Sequence, residues 1–337
     1  MKEAHVTVVS DLASLGALEN DWRAMHCADP HATVFTSWLW LLGRLSALAE
    51  PWQVLVARDE EGGQVMGLLP LRRPAMDAGE EPVLAMAGSP WADYTGFLCR
   101  PGRDEAALAA LAGHLRGRPD WSRLELRDVF DPRLAAFLAH FAPPAFTATR
   151  LAPTPCPRVE LAPTWDAFLA TRVRPRRRQT LRRQLRALES LPGLRITTLA
   201  DGAEAQLACL LELWQGRWGK RPEAELAELR AIFRSCLPAG LVWLDILWQD
   251  EKALAGLLAF LDRDRGQFRF YISGCDPVET DRAAGIGMVA HSLRAAIALG
   301  FRGYDFLRGD EPYKHSFGAR TAEIDNVDVV RRGEAPT

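Results

Sequence analysis

One short stretch constrains the fold of this 337-residue chain more than any other: Arg282-Ala-Ala-Gly285-Ile-Gly287-Met288, followed by an apolar-faced helix that stops at Gly300. It reads as the end of a strand, a glycine turn and a helix. Ile286, Val289, Ala290, Leu293, Ala296 and Ile297 recur at spacings of three and four, so one helix face is buried. Gly300 suits a C-cap. Glycines let the backbone turn sharply and approach a ligand closely. Amides at a helix start have no intrahelical partner, and the helix dipole favours an anion there. The stretch therefore has the physics of a phosphate cradle. The plainer reading is a helix that merely starts with small residues.

Bulk properties narrow the class. Hydrophobic residues make up 48% and charged residues 25%, as in a globular protein. A net charge of −2 gives no general reason to expect nucleic acid. The cysteines at 27, 99, 156, 209, 236 and 275 form no C-x-x-C pair, and the seven histidines form no H-E-x-x-H cluster. That argues against a metal site or disulfide scaffold and suits a reducing compartment. No leader is visible, and the apolar run Leu241 to Leu261 is broken by Asp245, Asp250, Glu251 and Lys252. It reads as a hairpin and not as a transmembrane segment. A cytoplasmic location is expected.

Element order suggests two halves. The first has a strand at His5 to Val9, helices from Asp11 and from Ser37 (an N-cap), and a hairpin of Gln53 to Arg58 with Val65 to Leu71. A strand at Tyr94 to Cys99, a helix from Asp104 and a strand at Leu124 to Arg127 follow. Prolines 143, 144, 153, 155, 157 and 163 mark a linker containing an extended strand. In the second half, helices over 165–171, 176–189, 203–218 and 223–236 precede three strands, the glycine-led helix and a short strand at Tyr304. Strand, loop, helix, strand thus occurs twice, at 94–127 and at 268–307. The first copy has Arg100-Pro-Gly102-Arg-Asp104-Glu105 in place of the glycine stretch. Its two carboxylates would oppose a pyrophosphate, so the ligand is expected in the second half.

Tyr271-Ile-Ser273-Gly274-Cys-Asp276-Pro277, the glycine-led helix, and Asp305-Phe-Leu-Arg-Gly309-Asp310-Glu311-Pro-Tyr313-Lys314-His-Ser-Phe317-Gly318 together resemble the CelD/BcsL-type acyltransferases. That family is linked to cellulose and exopolysaccharide gene clusters. It belongs to the GNAT superfamily and is related to the FemAB peptidyltransferases. GNAT enzymes use Arg-x-x-Gly-x-Gly to hold the pyrophosphate of coenzyme A. The resemblance implies an α/β (α+β) fold of two tandem GNAT-like domains, each a mixed, mostly antiparallel sheet flanked by helices. Residues 1–152 would form a degenerate domain, and residues 153–337 the domain with the acyl-CoA site. It implies acetyl-CoA or another acyl-CoA as co-substrate, no metal, and an amine or sugar acceptor. The cofactor-binding set is Arg282, Gly285, Ile286, Gly287 and Met288 for the pyrophosphate, with Ile272 and Ser273 on the strand that pairs with pantetheine. An aminoacyl-tRNA-dependent transferase and a non-catalytic accessory protein of polysaccharide synthesis are the alternatives.

Catalytic expectations follow from the same resemblance. Lys314 would place an ammonium near a tetrahedral oxyanion, or simply pair with Asp310 or Glu311. Tyr313 would protonate the leaving thiolate. Asp305 and Asp310 would orient the acceptor or take its proton. Eight arginines between Arg172 and Arg186, with no acid nearby, read as an anion-binding face for CoA, an acyl carrier protein or a polyanion, or as a solvated helix. Asp93-Tyr94 reads as a turn acid and a core aromatic, or as a pair facing a cleft. Trp214 and Trp218, one helical turn apart, read as core residues or as the lining of the acceptor side.

Overall fold

The computed structural model describes residues 4–59, 63–75, 79–190, 192–276 and 282–332. The elements, in chain order, begin with β1 (His5–Val9), α1 (Leu12–Gly16), α2 (Glu19–Ala28), α3 (Trp38–Ala47), β2 (Trp52–Arg58), β3 (Val65–Arg72), β4 (Val83–Met86), β5 (Leu98–Cys99), α4 (Asp104–Gly117), β6 (Arg123–Val129), α5 (Leu134–Leu138) and β7 (Phe146–Arg150). They continue with β8 (Thr154–Glu160), α6 (Trp165–Arg172), α7 (Pro175–Ser190), β9 (Leu194–Thr198), α8 (Ala203–Trp218), α9 (Glu223–Cys236), β10 (Val242–Gln249), β11 (Lys252–Asp262), β12 (Gln267–Cys275), α10 (Arg282–Ala298), β13 (Gly303–Asp305), α11 (Pro312–His315) and β14 (Arg320–Arg331).

The chain divides into two compact units, Met1–Thr154 with Glu323–Thr337, and Pro155–Ala322. The second unit therefore does not run to residue 337 as expected. The cause is β14, whose residues from Asp325 onward pair antiparallel with β6 and whose residues from Val327 onward also pair with β7. Ile324, Val327 and Val329 are buried along it, with a register shift between Asp325 and Val327.

In the first unit β1, β2 and β3 are antiparallel, and β4 runs parallel to β6. The strand expected over 94–99 is shorter, since only Leu98–Cys99 ladders against β3. β4 and β5 thus share the same neighbour, with the segment between them looped out. Leu84, Phe97, Leu108, Leu111, Trp121, Leu124 and Phe137 form the core against α4. Ser37 caps α3 by accepting the Trp40 amide, as its position suggested.

In the second unit the order is β8, β13, β12, β11, β10, β9, antiparallel throughout except for the β12–β13 pair, which is parallel. The apolar run at 241–261 is the hairpin β10–β11, with Asp250 at φ 52 in its turn. Leu257, Leu261, Phe268 and Phe270 face a core completed by Leu181 and Leu185 of α7 and by Val289, Ala290 and Leu293 of α10. Gly300, at φ 80, ends α10, with its amide on Ile297 and that of Phe301 on Ala296. Each sheet is mixed, mostly antiparallel and flanked by helices, as anticipated.

Candidate functional site

The site is built around the divergence of β12 from β13. The two strands pair only at Gln267, Phe268 and Arg269 against Gly303, Tyr304 and Asp305. Beyond that point the amides of Phe306 and Gly309 bond to the carbonyls of Pro157 and Pro155, so the chain after β13 follows β8. Leu307, at φ 56, makes the turn, and the Asp305 carboxylate accepts its amide. β12 continues to Cys275, paired on its other edge with β11. Among the described residues, its edge from Phe270 to Cys275 has no strand beside it. Tyr271 is bulged out opposite the Leu258/Ala259 step, which resets the alternation. Ile272 and Gly274 consequently share one sheet face, and Ser273 lies on the other with Phe270.

The first of these faces is covered by α8. Gly256 and Gly274 pair across β11 and β12. A Cβ on Gly274 would stand 2.5 Å from the carbonyl carbon of Leu213, and one on Gly256 would stand 3.0 Å from Leu210. The glycine pair is what lets the helix lie this close to the strands. Arg217, one turn further along α8, places Nη1 3.8 Å from the Cys275 sulfur.

The glycine stretch lies differently from its sequence reading. Residues 277–281, and with them Pro277, are outside the described residues, as is the side chain of Arg282. α10 already begins at Arg282, so Gly285 and Gly287 are inside the helix and not in a turn before it. The amides of Gly285, Ile286, Gly287 and Met288 are then committed to carbonyls four residues earlier, and the free donors within the helix are those of 282–284. Gly287 and Met288 serve packing. A Cβ on Gly287 would stand 3.1 Å from the Leu188 side chain of α7, and Met288 is buried with Leu188, Leu247 and Leu254. Gly285 has open space where a side chain would go. Ala284 and Cys275 border the same apolar cluster, which brings the end of β12 to the start of α10.

The four catalytic candidates separate into two groups. Tyr313 packs against Phe306 and is largely buried; burial first, and then the Glu311 carboxylate, push its hydroxyl well above the ordinary tyrosine value, while Arg217 pulls the other way. That places its hydroxyl in the electrostatic reach of both α8 and the loop 305–315. Lys314, Asp305 and Asp310 are each engaged by other groups of the chain. Lys314 is buried, and its ammonium meets the carbonyl oxygens of Arg308 at 2.7 Å and Gly309 at 3.0 Å and the Glu311 carboxylate at 2.9 Å. Two carbonyls accept its protons and the Glu311 carboxylate lies beside it, so the ammonium is held by its own loop, which fits the ion-pair reading. Asp305 is fully buried and receives Arg269 at 2.9 Å, and Arg269 also binds Asp262. This buried Asp–Arg–Asp group fixes the splay point; sequence reading overlooked Arg269 and Asp262, which sit in apolar strands without a motif. Asp310 is exposed and accepts from His315 at 2.6 Å, which holds its carboxyl below the usual range and makes it a poor base.

The arginine helix α7 is tied to its surroundings in part, while Arg176, Arg183 and Arg186 are exposed. Arg178 donates to the Val173 and Ala170 carbonyls, Arg182 pairs with Asp166, and Arg172, at the end of α6, pairs with Glu160. Arg177 lies over the Phe317 ring, and burial lowers its affinity for a proton. Leu181, Leu185 and Leu188 form its buried stripe. In the first unit, Asp104 at the start of α4 binds Arg133 at 2.7 Å, so a carboxylate of the chain itself occupies the place of an anion. Tyr94 is a core aromatic against Phe35 and Phe130. A mostly apolar cavity in this unit is walled by Trp22, Phe35, Met86, Tyr94 and Leu98. Among the described residues no cluster of metal ligands occurs, and no helix is long and apolar enough to cross a membrane.

Residues 175–315 match the model of an acetyltransferase (GNAT) domain. No curated protein sequence matches the chain. Solved structures of similar fold include FemX, at 11% identity over 95% of this chain and 96% of that one with a TM-score of 0.65. A tandem GNAT protein from the clavulanic acid biosynthesis pathway is 15% identical over 98% and 100%, with a TM-score of 0.58. L-PGS from Bacillus licheniformis is 10% identical over 99% and 95%, with a TM-score of 0.56. The chain therefore has the fold of two tandem GNAT-like domains, and the residues that match the acetyltransferase (GNAT) domain model lie within its second unit.

Proposed function

We propose that the protein transfers an acyl group from acyl-CoA to an amine, or to a sugar hydroxyl, at the open edge of β12. The carrying observation is the divergence of β12 from β13 with α10 starting beside the end of β12, inside the matched domain. An unpaired strand edge offers amides and carbonyls to the two amide groups of pantetheine. The free amides at 282–284, with no acid from Arg282 to Met288, suit a pyrophosphate. Transfer then needs an acceptor nitrogen or oxygen to attack the thioester carbon. The new bond forms, the carbon–sulfur bond breaks, the acceptor loses a proton and the thiol gains one. Tyr313 keeps its proton at neutral pH and would give it to the departing sulfur, the role expected from the resemblance, with the acceptor's proton restoring the phenol. A part in exopolysaccharide or cellulose synthesis rests on the CelD/BcsL resemblance. Use of an aminoacyl-tRNA donor rests on the FemAB kinship, for which the FemX likeness supplies the fold alone.

Calorimetry with acetyl-CoA tests the donor. The wild type should bind in the micromolar range, about −8 kcal/mol. Gly285→Glu puts a carboxylate into open space at the proposed pyrophosphate site. It should weaken binding at least tenfold with little change in melting temperature. Gly113→Glu, an equally open glycine on α4 of the first unit, should leave the affinity unchanged. Equal effects of the two, or no heat from wild type with several acyl-CoAs, would sink the proposal.

A further inference from the structure

Trp218 closes α8 with 53% of its surface exposed, a large indole that the fold leaves uncovered. A single exposed apolar residue is ordinary. This one is not alone. The Arg217 guanidinium lies 5.0 Å from the Trp218 ring centre, and Arg221 lies 5.2 Å from that of Trp214. Arg221 also has Glu225 at 3.8 Å. Arg217 is exposed and has no carboxylate partner among the described residues. Its contacts are the indole and the Cys275 sulfur, which leave most of its five N–H donors unused. Lys220 adds a second exposed cation two residues past Trp218.

Position makes this patch part of the site. The backbone of Leu213 and Trp214 rests on Gly274, so α8 is fixed to β12 one turn before Arg217. The guanidinium then stands at the end of the open strand edge and within electrostatic reach of Tyr313. An acceptor approaching a thioester on that edge would meet a guanidinium fork and a half-exposed indole together. A planar fork with free donors matches phosphate or carboxylate in two-point geometry. An indole with one face under the arginine and the remainder open suits the apolar face of a sugar ring. A polyamine would be repelled by Arg217 and Lys220, and a neutral aliphatic amine would use neither feature.

Resting on the acyl-transfer reading above, we infer that the acceptor is an amino sugar carrying an anionic group, with Arg217 binding the anion and Trp218 packing on the ring. Glucosamine 6-phosphate is the probe, with glucosamine as its uncharged-substituent counterpart. Calorimetry on the full chain should show the phosphorylated sugar bound at least tenfold more tightly, the scale of a charged hydrogen-bonded contact. Arg217→Met should remove that preference and Arg217→Lys should restore part of it. Trp218→Ala should weaken both sugars, by about tenfold. Both residues are exposed, so melting temperatures should not move. Acetyl-CoA affinity, measured on the same samples, should stay constant across the variants. Wild type that fails to bind glucosamine 6-phosphate, or that binds both sugars equally, overturns the inference. So does unchanged binding in Arg217→Met and Trp218→Ala. Loss of acetyl-CoA binding in every sample, with the sugar results intact, would instead remove the donor assignment and leave the anionic-sugar site standing.

Discussion

Gly274 lies so close under Trp214 that a Cβ built on the glycine would stand 2.4 Å from the tryptophan's backbone nitrogen. No flexible side-chain end gives way there, because the neighbour is helix backbone. The contact ties the end of β12, where the acyl donor is proposed to lie, to the end of α8, where Arg217 and Trp218 project.

Gly274→Ala should therefore push α8 away from β12. Overpacking of this kind costs about 1–3 kcal/mol. Gly285→Ala is the counterpart, since that glycine sits in a helix with open space around it. It should stabilise the second unit by up to about 1 kcal/mol through helix propensity. Denaturant unfolding of both variants reads the difference. Equal stabilities would mean that α8 yields freely and that Gly274 does not set the spacing.

Lys314→Met should act on stability before it acts on rate. The ammonium holds the carbonyls of Arg308 and Gly309 and the Glu311 carboxylate, and so shapes a loop in which Leu307 and Gly309 both have positive φ. Its loss strands two carbonyls that had charged donors, a cost of about 2–4 kcal/mol. The Glu311 side chain is partly exposed, although the oxygen facing Lys314 is buried. Turnover per folded molecule should fall much less than the 10²-fold typical of a lost oxyanion donor. A variant of unchanged melting temperature whose kcat drops by that factor would return Lys314 to the chemistry.

How far the sequence could be read depended on range. The tandem architecture was legible because strands and the glycine-led helix announce themselves through local periodicity. The β10–β11 hairpin and the Gly300 cap were legible for the same reason. Tertiary partners were not. Nothing local says that Asp305 and Asp262 meet at Arg269, or that the Lys314 ammonium is held by the carbonyls of Arg308 and Gly309. The glycine stretch was found but misplaced by a turn of helix, since spacing alone does not say where a helix begins. β14 escaped because a register shift breaks its alternation between Asp325 and Val327. Trp218 leaned toward a core reading because indoles usually pack; its exposure follows from its place at the last residue of α8.

Alkaline solution should destabilise the second unit through its buried tyrosines. Tyr304 is fully buried, with its hydroxyl 2.7 Å from Ser292 Oγ, and burial pushes its ionisation far above the ordinary value of 10.0. Tyr313 is shifted the same way, again chiefly by burial. In the unfolded chain both lose a proton near pH 10, while in the folded chain both keep it. The folded state then binds more protons than the unfolded one, so stability falls as pH rises above 10. Each group contributes a slope of about 1.4 kcal/mol per pH unit until its folded-state value is reached. Buried Cys236, pushed up to about 12, adds the same sign from pH 9 upward, so the wild-type slope is a composite. Tyr304→Phe isolates one share. At pH 7 the variant should be about 1 kcal/mol less stable for want of the Ser292 bond, because Ser292 still donates to the Val289 carbonyl at 2.9 Å. Between pH 10 and 11 its decline should be shallower than that of wild type by about 1 kcal/mol, because the unfolded tyrosine is only half ionised at pH 10, so the two curves converge. Denaturant unfolding at half-unit steps from pH 8 to 11, followed by tryptophan fluorescence, measures both slopes. Parallel curves would mean that Tyr304 ionises alike in both states and is reached by water in the folded protein.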